Sequence, residues 1–405
     1  MDLEPTPRYA AAREAAVKIT GVRSVVVNAD MRNWVFVKVE TDQPGLYGWG
    51  EGSLEWKTRA VVGAVEDFVP FVVGEDPFRI EHLYQKLYRQ SFWRLGVIGM
   101  SAISGIEQAL WDIKGKALGV PVYELLGGRV RDRVRMYTHL GGGQMESVYE
   151  TFDVGPLIDL AHQVVERGYT ALKVVFVPYS QPLEGASKAR RLELLMRGLR
   201  EAVGEEIDIM VDFHGRTYPA TAIEYIRALE PFRPYFCEEP VPPEQTDALL
   251  EVRRQTTVPI ATGERLVGRH QFAPLFEKRA CHVIQPDLCH CGGLWEARKI
   301  AAAAETYQMG VAPHNPLGPV ANAVALHFAL ATPNFLIQED MLTDVPWRWE
   351  VVKSTLKTKD GYWLPSDVPG LGIDVDEAAA SSHPFEQERI HALSIRDPDG
   401  AVLDW

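Results

Sequence analysis

The chain has 405 residues, 46% of them hydrophobic, and carries a formal net charge of −13 with a pI near 5.4. That length accommodates one barrel with an added domain. The acidic balance excludes nucleic acid and anionic membrane as partners, since both select basic surfaces. No apolar run approaches the ~20 residues of a membrane span. The opening MDLEPTPRYAAAREAAVKI carries acids where a secretory leader needs an apolar core, so a cytoplasmic location is expected.

Residues 17–50 alternate as three strands, VKITGVRSVVV, WVFVKVET and LYGWGEG, with a turn at Pro44-Gly45. This is an antiparallel meander. Helical patterns follow in TRAVVGAVEDFVPFVVG, PFRIEHLYQKLYRQSFW and SAISGIEQALWDIKGKALG, then a short VYELLGG. Residues 1–130 therefore read as an α+β domain. Its hairpin tip, Asn28 to Trp34, and the Gly52–Thr58 loop are polar, aromatic-bearing lid candidates.

From 131 to 345 the pattern changes to strands alternating with helices. The strands are VRMYTHL, TALKVVFV, IDIMVDFHG, YFCEEP, PIATGE, HVIQPD, GVAPHN and FLIQED. Eight such units read as a (β/α)8 barrel of TIM type. The segment PYSQPLEGASKARR after the second strand is long for a connection and is placed over part of the mouth. Beyond 345 the alternation ends. VPGLGIDVDEAAA looks like a strand and turn, and residues 346–405 are expected to return to the first domain. The fold class is thus α/β, a modified barrel capped by an α+β domain built from the N-terminal region and the tail.

Asp212, Glu238 and Glu264 each close a strand and stand 26 residues apart, the length of one βα unit. Asp287, His314 and Glu339 continue the rhythm on the next three strands. A single acid after a strand commonly caps the next helix. Six polar groups in register at the carboxyl ends of parallel strands mark the place where such folds put chemistry. Three carboxylates without clustered cysteine or histidine form an all-oxygen site suited to Mg²⁺ or Mn²⁺. Cys289-His290-Cys291 lacks the second pair of a zinc site, so Cys237, Cys281, Cys289 and Cys291 read as free thiols. His314 and Asp287 on neighbouring strands suit a base oriented by a carboxylate. Strand alternation would turn His214 to the same side as Asp212, where it could act as an acid. Glu339, from the last strand, closes the ring.

The segments GWGEG (48–52), SAISGIEQALWDIKGKALGVPVYELLGG (101–128), DFHGR (212–216), EEPV (238–241), QPD (285–287) and APHNPLGP (312–319) resemble the mandelate racemase branch of the enolase superfamily. They are most similar to its galactonate-type sugar-acid dehydratases. The resemblance implies that Asp212, Glu238 and Glu264 hold Mg²⁺. It implies that His314, assisted by Asp287, removes the proton α to a sugar-acid carboxylate, that His214 protonates the departing 3-hydroxyl, and that Glu339 stabilises the enediolate. Lys173 and Trp56 are expected at the substrate. Lys173-Val174-Val175 stands where relatives with a lysine base have Lys-x-Lys, which favours dehydration over a two-base racemisation. Mannonate, gluconate and pentonates are alternative substrates, and a racemase or cycloisomerase is the alternative reaction. A homo-oligomer is implied by the same resemblance.

Overall fold

The computed structural model describes residues 17–140, 153–341, 344–388, 396–397 and 399–404. It opens on an antiparallel sheet of β1 (Ile19–Ala29), β2 (Arg32–Thr41) and β3 (Tyr47–Glu51), in that order. Pairing of Ala29 with Arg32 closes the first hairpin in a two-residue turn, with Asp30 at φ 61. The expected lid tip is therefore a tight turn, and the C-terminal tail braces it. The Asn28 N–H donates to the His383 carbonyl, and Trp347 Nε1 donates to the Asn28 carbonyl.

Four helices follow: α1 (Thr58–Val72), α2 (Ile80–Gln90), α3 (Gly96–Leu118) and α4 (Val122–Leu125). Most of α3 is buried, because it lies between the cap sheet and the barrel. The glycines of GWGEG permit that contact. A Cβ on Gly48 or Gly50 would stand 2.0 Å from the carbonyl oxygen of Ala109 or Gly105 on α3.

The barrel runs β4 (Val134–His139), α5 (Gly155–Glu166), β5 (Ala171–Val174), α6 (Ala186–Val203), β6 (Asp208–Asp212), α7 (Pro219–Leu229), β7 (Cys237–Glu238) and α8 (Thr246–Gln255). It continues through β8 (Ile260–Thr262), α9 (Arg269–Lys278), β9 (Val283–Ile284), α10 (Leu294–Thr306), β10 (Gly310–Val311), α11 (Pro319–Ala331) and β11 (Gln338–Asp340). Neighbours from β4 to β10 pair in parallel, β11 pairs with β4, and a Val311–Phe335 bridge closes the ring. The fold is the α/β barrel with an α+β cap that the alternation predicts.

One layer of the barrel interior is apolar: Tyr137, Ala171, Met210, Phe236, Ala261, Val283, Ala312 and Ile337 form a single buried cluster. Side chains alternate along a strand, so two residues further on each strand faces the same way, one layer nearer the mouth. That next layer is His139, Lys173, Asp212, Glu238, Gly263, Gln285, His314 and Glu339. The barrel thus lifts a polar ring directly above its apolar floor.

The tail adds β12 (Val352–Ser354), β13 (Lys357–Lys359), β14 (Tyr362–Leu364), β15 (Ile373–Val375) and α12 (Glu377–Ala380). Part of it returns to the cap: Asp374 accepts from Trp49 Nε1 and the Tyr47 hydroxyl, and Glu377 pairs with Arg23 and Lys38. The β13–β14 hairpin, however, joins the barrel, with Tyr362 and Trp363 pairing antiparallel to Arg135 and Val134. β5 and β11 pair only with the later residues of β4, from Met136 onward. The hairpin satisfies the backbone groups left at the start of that strand. Among the described residues no helix is long and apolar enough to cross a membrane.

Candidate active site

Asp212 and Glu238 end adjacent strands and are register partners. Glu264 follows Gly263 just beyond β8. One carboxylate oxygen from each of the three lies within 4.8 Å of the others. Asp212 Oδ2 and Glu264 Oε2 are buried without a well-formed hydrogen bond. Convergent oxygen-only donors, two of the three residues buried, fit a hard divalent cation. Their electrostatics agree. Burial, then the negative charge of Asp212, pushes Glu238 well above the usual carboxylate range. Burial likewise lifts Glu264 to about 7. Asp212 is held well below its ordinary value because His214 and Lys173 outweigh burial.

Lys173, expected at the substrate, is enclosed among these acids. Its Nζ lies 3.0 Å from Glu238 Oε2, 3.2 Å from Asp212 Oδ2 and 2.7 Å from Glu339 Oε1, and the residue is fully buried. Its ammonium offsets part of the surplus negative charge.

Glu339 is equally enclosed. Burial alone would raise its carboxyl, but Lys173, His139 and His314 hold it well below the usual range, so it is a carboxylate. His139 Nε2 is hydrogen-bonded to Oε1, and the Asn315 N–H donates to Oε2 at 2.7 Å. His139 was not singled out from the sequence, although it closes VRMYTHL as the other site residues close their strands. Gln285 was missed too. It is fully buried in the same layer, and neither its Nε2 nor its Oε1 has a hydrogen-bond partner among the described residues.

His314 Nδ1 lies 2.7 Å from Asp287 Oδ2. A ring nitrogen facing a carboxylate carries the hydrogen, which leaves Nε2 as the basic atom. That Nε2 stands 3.6 Å from Glu264 Oε2, so His314 borders the acid triad. Burial would lower His314, but Glu264, Glu339 and Asp287 together raise it well above the ordinary imidazole value.

His214 reaches the site by a route other than strand alternation. β6 ends at Asp212, and His214 takes a left-handed φ of 49. The turn is locked by the His214 N–H donating to Asp212 Oδ1 at 2.9 Å. Arg216 Nη2 donates to His214 Nδ1 at 3.0 Å, and a guanidinium has only donors, so the ring hydrogen sits on Nε2. Nε2 faces Asp212 Oδ2 at 3.1 Å. Burial brings this imidazole down to about 4, so the resting ring is neutral near pH 7.

Trp56 is half-buried in the loop after β3, at φ 58. This loop is tied to the hairpin tip by Glu55, whose Oε1 accepts from Arg32 Nη1 at 2.8 Å. The same Nη1 donates to the Pro316 carbonyl, two residues past His314. Both lid candidates are therefore joined, through Arg32, to the segment after His314. All four cysteines are free and buried.

Residues 11–127 match the mandelate racemase / muconate lactonizing enzyme N-terminal domain, and residues 157–379 match the enolase C-terminal domain-like family. The chain belongs to the mandelate racemase branch of the enolase superfamily. Similar proteins include D-galactonate dehydratases of Pectobacterium atrosepticum, 39% identical over 379 residues, and of Ralstonia nicotianae, 40% identical over 378. Each alignment spans 92% of this chain and 96% of the relative. An enolase from Pantoea ananatis with bound D-gluconate and Mg superposes with a TM-score of 0.86 at 32% identity, over 96% of this chain and all of that one. A putative mandelate racemase/muconate lactonizing enzyme from Burkholderia gives 0.84 at 37%, over 92% of this chain and 96% of that one.

Proposed function

We propose that the protein is a Mg²⁺-dependent sugar-acid dehydratase that takes D-galactonate to its 2-keto-3-deoxy acid. The observation that carries this reading is the meeting of two kinds of group at one mouth. An acid triad fit for a divalent cation borders, at 3.6 Å, Nε2 of a histidine backed by a carboxylate. The relatives named D-galactonate dehydratase support the substrate.

Asp212, Glu238 and Glu264 would hold Mg²⁺, which when bound neutralises the substrate carboxylate and the charge that grows on it as the C2 proton leaves. His314 Nε2 takes that proton, and Asp287 stabilises the resulting imidazolium. His214, taken to its cationic form when the anionic substrate sits beside it, gives the Nε2 proton to the C3 hydroxyl, which departs as water and leaves the ring neutral. The enol left behind tautomerises to the ketone, so the reaction loses one H₂O and needs no oxidant. Glu339 and Lys173, with His139 hydrogen-bonded to Glu339, complete the polar wall of the ring. A two-base racemase is disfavoured, because Lys173 is engaged with three carboxylates and Val175 has no basic group.

The test incubates the purified protein and Mg²⁺ with separate aldonic acids and follows keto-acid formation. Galactonate is expected to be the best substrate. Turnover of gluconate or mannonate alone would replace the substrate, and keto acid from none of the aldonic or aldaric acids would overturn the dehydratase reading. Glu238→Gln is expected to abolish turnover and weaken Mn²⁺ binding measured by calorimetry, with the circular dichroism spectrum unchanged.

A further inference from the structure

A further buried histidine stands beside Asp287. His290 is only 4% exposed and stands three residues after Asp287. The N–H groups of His290 and Cys291 both donate to the Asp287 carbonyl, at 3.1 and 2.7 Å, and the Cys289 N–H donates to Asp287 Oδ1 at 2.6 Å. This turn brings the imidazole back over its own first residue. His290 Nε2 lies 3.6 Å from Asp287 Oδ2, the same oxygen that accepts from His314. Its other nitrogen, Nδ1, lies 2.9 Å from the hydroxyl of Ser101 on the cap helix α3.

We propose that His290 is a positioning residue for the proton-abstracting pair, holding the Asp287 carboxylate against His314, and that the cap fixes its ring through Ser101. A nitrogen beside a buried carboxylate is stabilised by carrying a hydrogen, because a bare lone pair there would face like charge. The neutral ring therefore has its hydrogen on Nε2, and Nδ1 accepts from the Ser101 hydroxyl, which shares its single hydrogen between that nitrogen at 2.9 Å and the Val97 carbonyl at 2.7 Å. Asp287 Oδ2 then sits between two imidazoles, His314 in front and His290 behind. Loss of the rear contact lets the carboxylate turn away, and the orientation of His314 follows it. The base is thus assembled from both domains, with the cap acting through two intermediates.

This inference rests on the dehydratase reading only for its kinetic arm. Nitrogen-15 NMR of histidine-labelled wild-type protein, assigned by difference from His290→Gln, reads the tautomer without any substrate. A protonated Nε2 with an accepting Nδ1 is expected. A hydrogen on Nδ1 with a bare Nε2 overturns the proposal, whatever the enzyme turns over. The kinetic arm compares His290→Leu with His290→Gln, whose amide can again place an N–H near Asp287. The leucine variant is expected to lose about tenfold in kcat and in exchange of the C2 proton in D₂O, with KM little changed, and the glutamine variant to recover most of it. Ser101→Ala should fall between them. Wild-type kcat in the leucine variant, or equal loss in both His290 variants in step with their thermal midpoints, would overturn the positioning role. Failure of the dehydratase reading would instead appear as wild-type protein forming no keto acid.

Discussion

The two histidines of the mouth differ in what their ring nitrogens face, and this difference assigns their protons. His314 presents its hydrogen-bearing nitrogen to Asp287 and its basic one to the triad. His214 is the reverse, with Nδ1 occupied by Arg216 and the hydrogen on Nε2. His314→Asn is accordingly expected to lose both keto-acid formation and exchange of the C2 proton with D₂O, each by more than about 10³-fold. His214→Asn should lose dehydration comparably while retaining measurable exchange, since the proton can leave and return without the hydroxyl departing. Proton NMR of galactonate in D₂O separates the two, and wild-type exchange by His314→Asn would remove it as the base. Much of this site is legible in the sequence because the barrel period itself spaces Asp212, Glu238 and Glu264. Arg216 and His290 were not legible in their roles. Each acts through a turn geometry or a tertiary neighbour, and Ser101 is 189 residues from His290.

At the scale of elements, helix α3 is a template for the loop after β9. Ser101, Ser104 and Gln108, spaced three and four residues apart on one face, meet His290 Nδ1, the Gly292 N–H and the Leu288 carbonyl. Glu107 accepts from the N–H groups of Leu294 and Trp295, capping α10 from the cap domain. Gly293 is required there, since a Cβ would stand 2.2 Å from Glu107 Oε2. Glu51 does the same for α11, accepting from the N–H groups of Gly318 and Ala321. The apolar period of SAISGIEQALWDIKGKALG announces the helix, but the polar stripe that reads the partner loop is hidden, because a fully buried helix has no polar face to contrast with it. Burial pushes both glutamates from 4.5 up to about 7. An acid raised on folding stabilises the folded form fully below its unfolded value and loses that contribution as pH rises through the folded value. Each therefore withdraws up to about 3 kcal/mol as pH climbs from about 4.5 to 7. Glu107→Gln, which keeps a neutral acceptor, is expected to flatten the dependence of thermal midpoint on pH in that interval. Parallel curves for variant and wild type would show that Glu107 does not titrate there.

For the molecule as a whole, these contacts divide responsibility for the site. The proposed metal ligands stand on β6, β7 and just past β8, held by barrel pairing and, for Asp212 and Glu238, by Lys173. Asp287 and His314 stand on the segments that the cap grips: α3 holds the loop after β9, Glu51 caps α11, and Arg32 reaches the Pro316 carbonyl. Loosening the cap should therefore cost proton transfer before it costs the cation. Arg32 is the place to test this, since it is buried and joins the hairpin tip, Glu55 and the segment after His314. Arg32→Ala leaves Glu55 and a backbone carbonyl without their donor, and is expected to cost about 3 kcal/mol of stability. At a temperature where the variant remains folded, kcat/KM should fall at least about tenfold, about 1.4 kcal/mol of transition-state stabilisation. The Mn²⁺ dissociation constant should stay within about twofold of wild type, because no triad ligand touches the cap contact that is lost. Calorimetric Mn²⁺ titration beside the keto-acid assay decides it. If cation affinity fell in proportion to kcat/KM, the cap would be shaping the triad as well as the base, and the division of labour would be wrong.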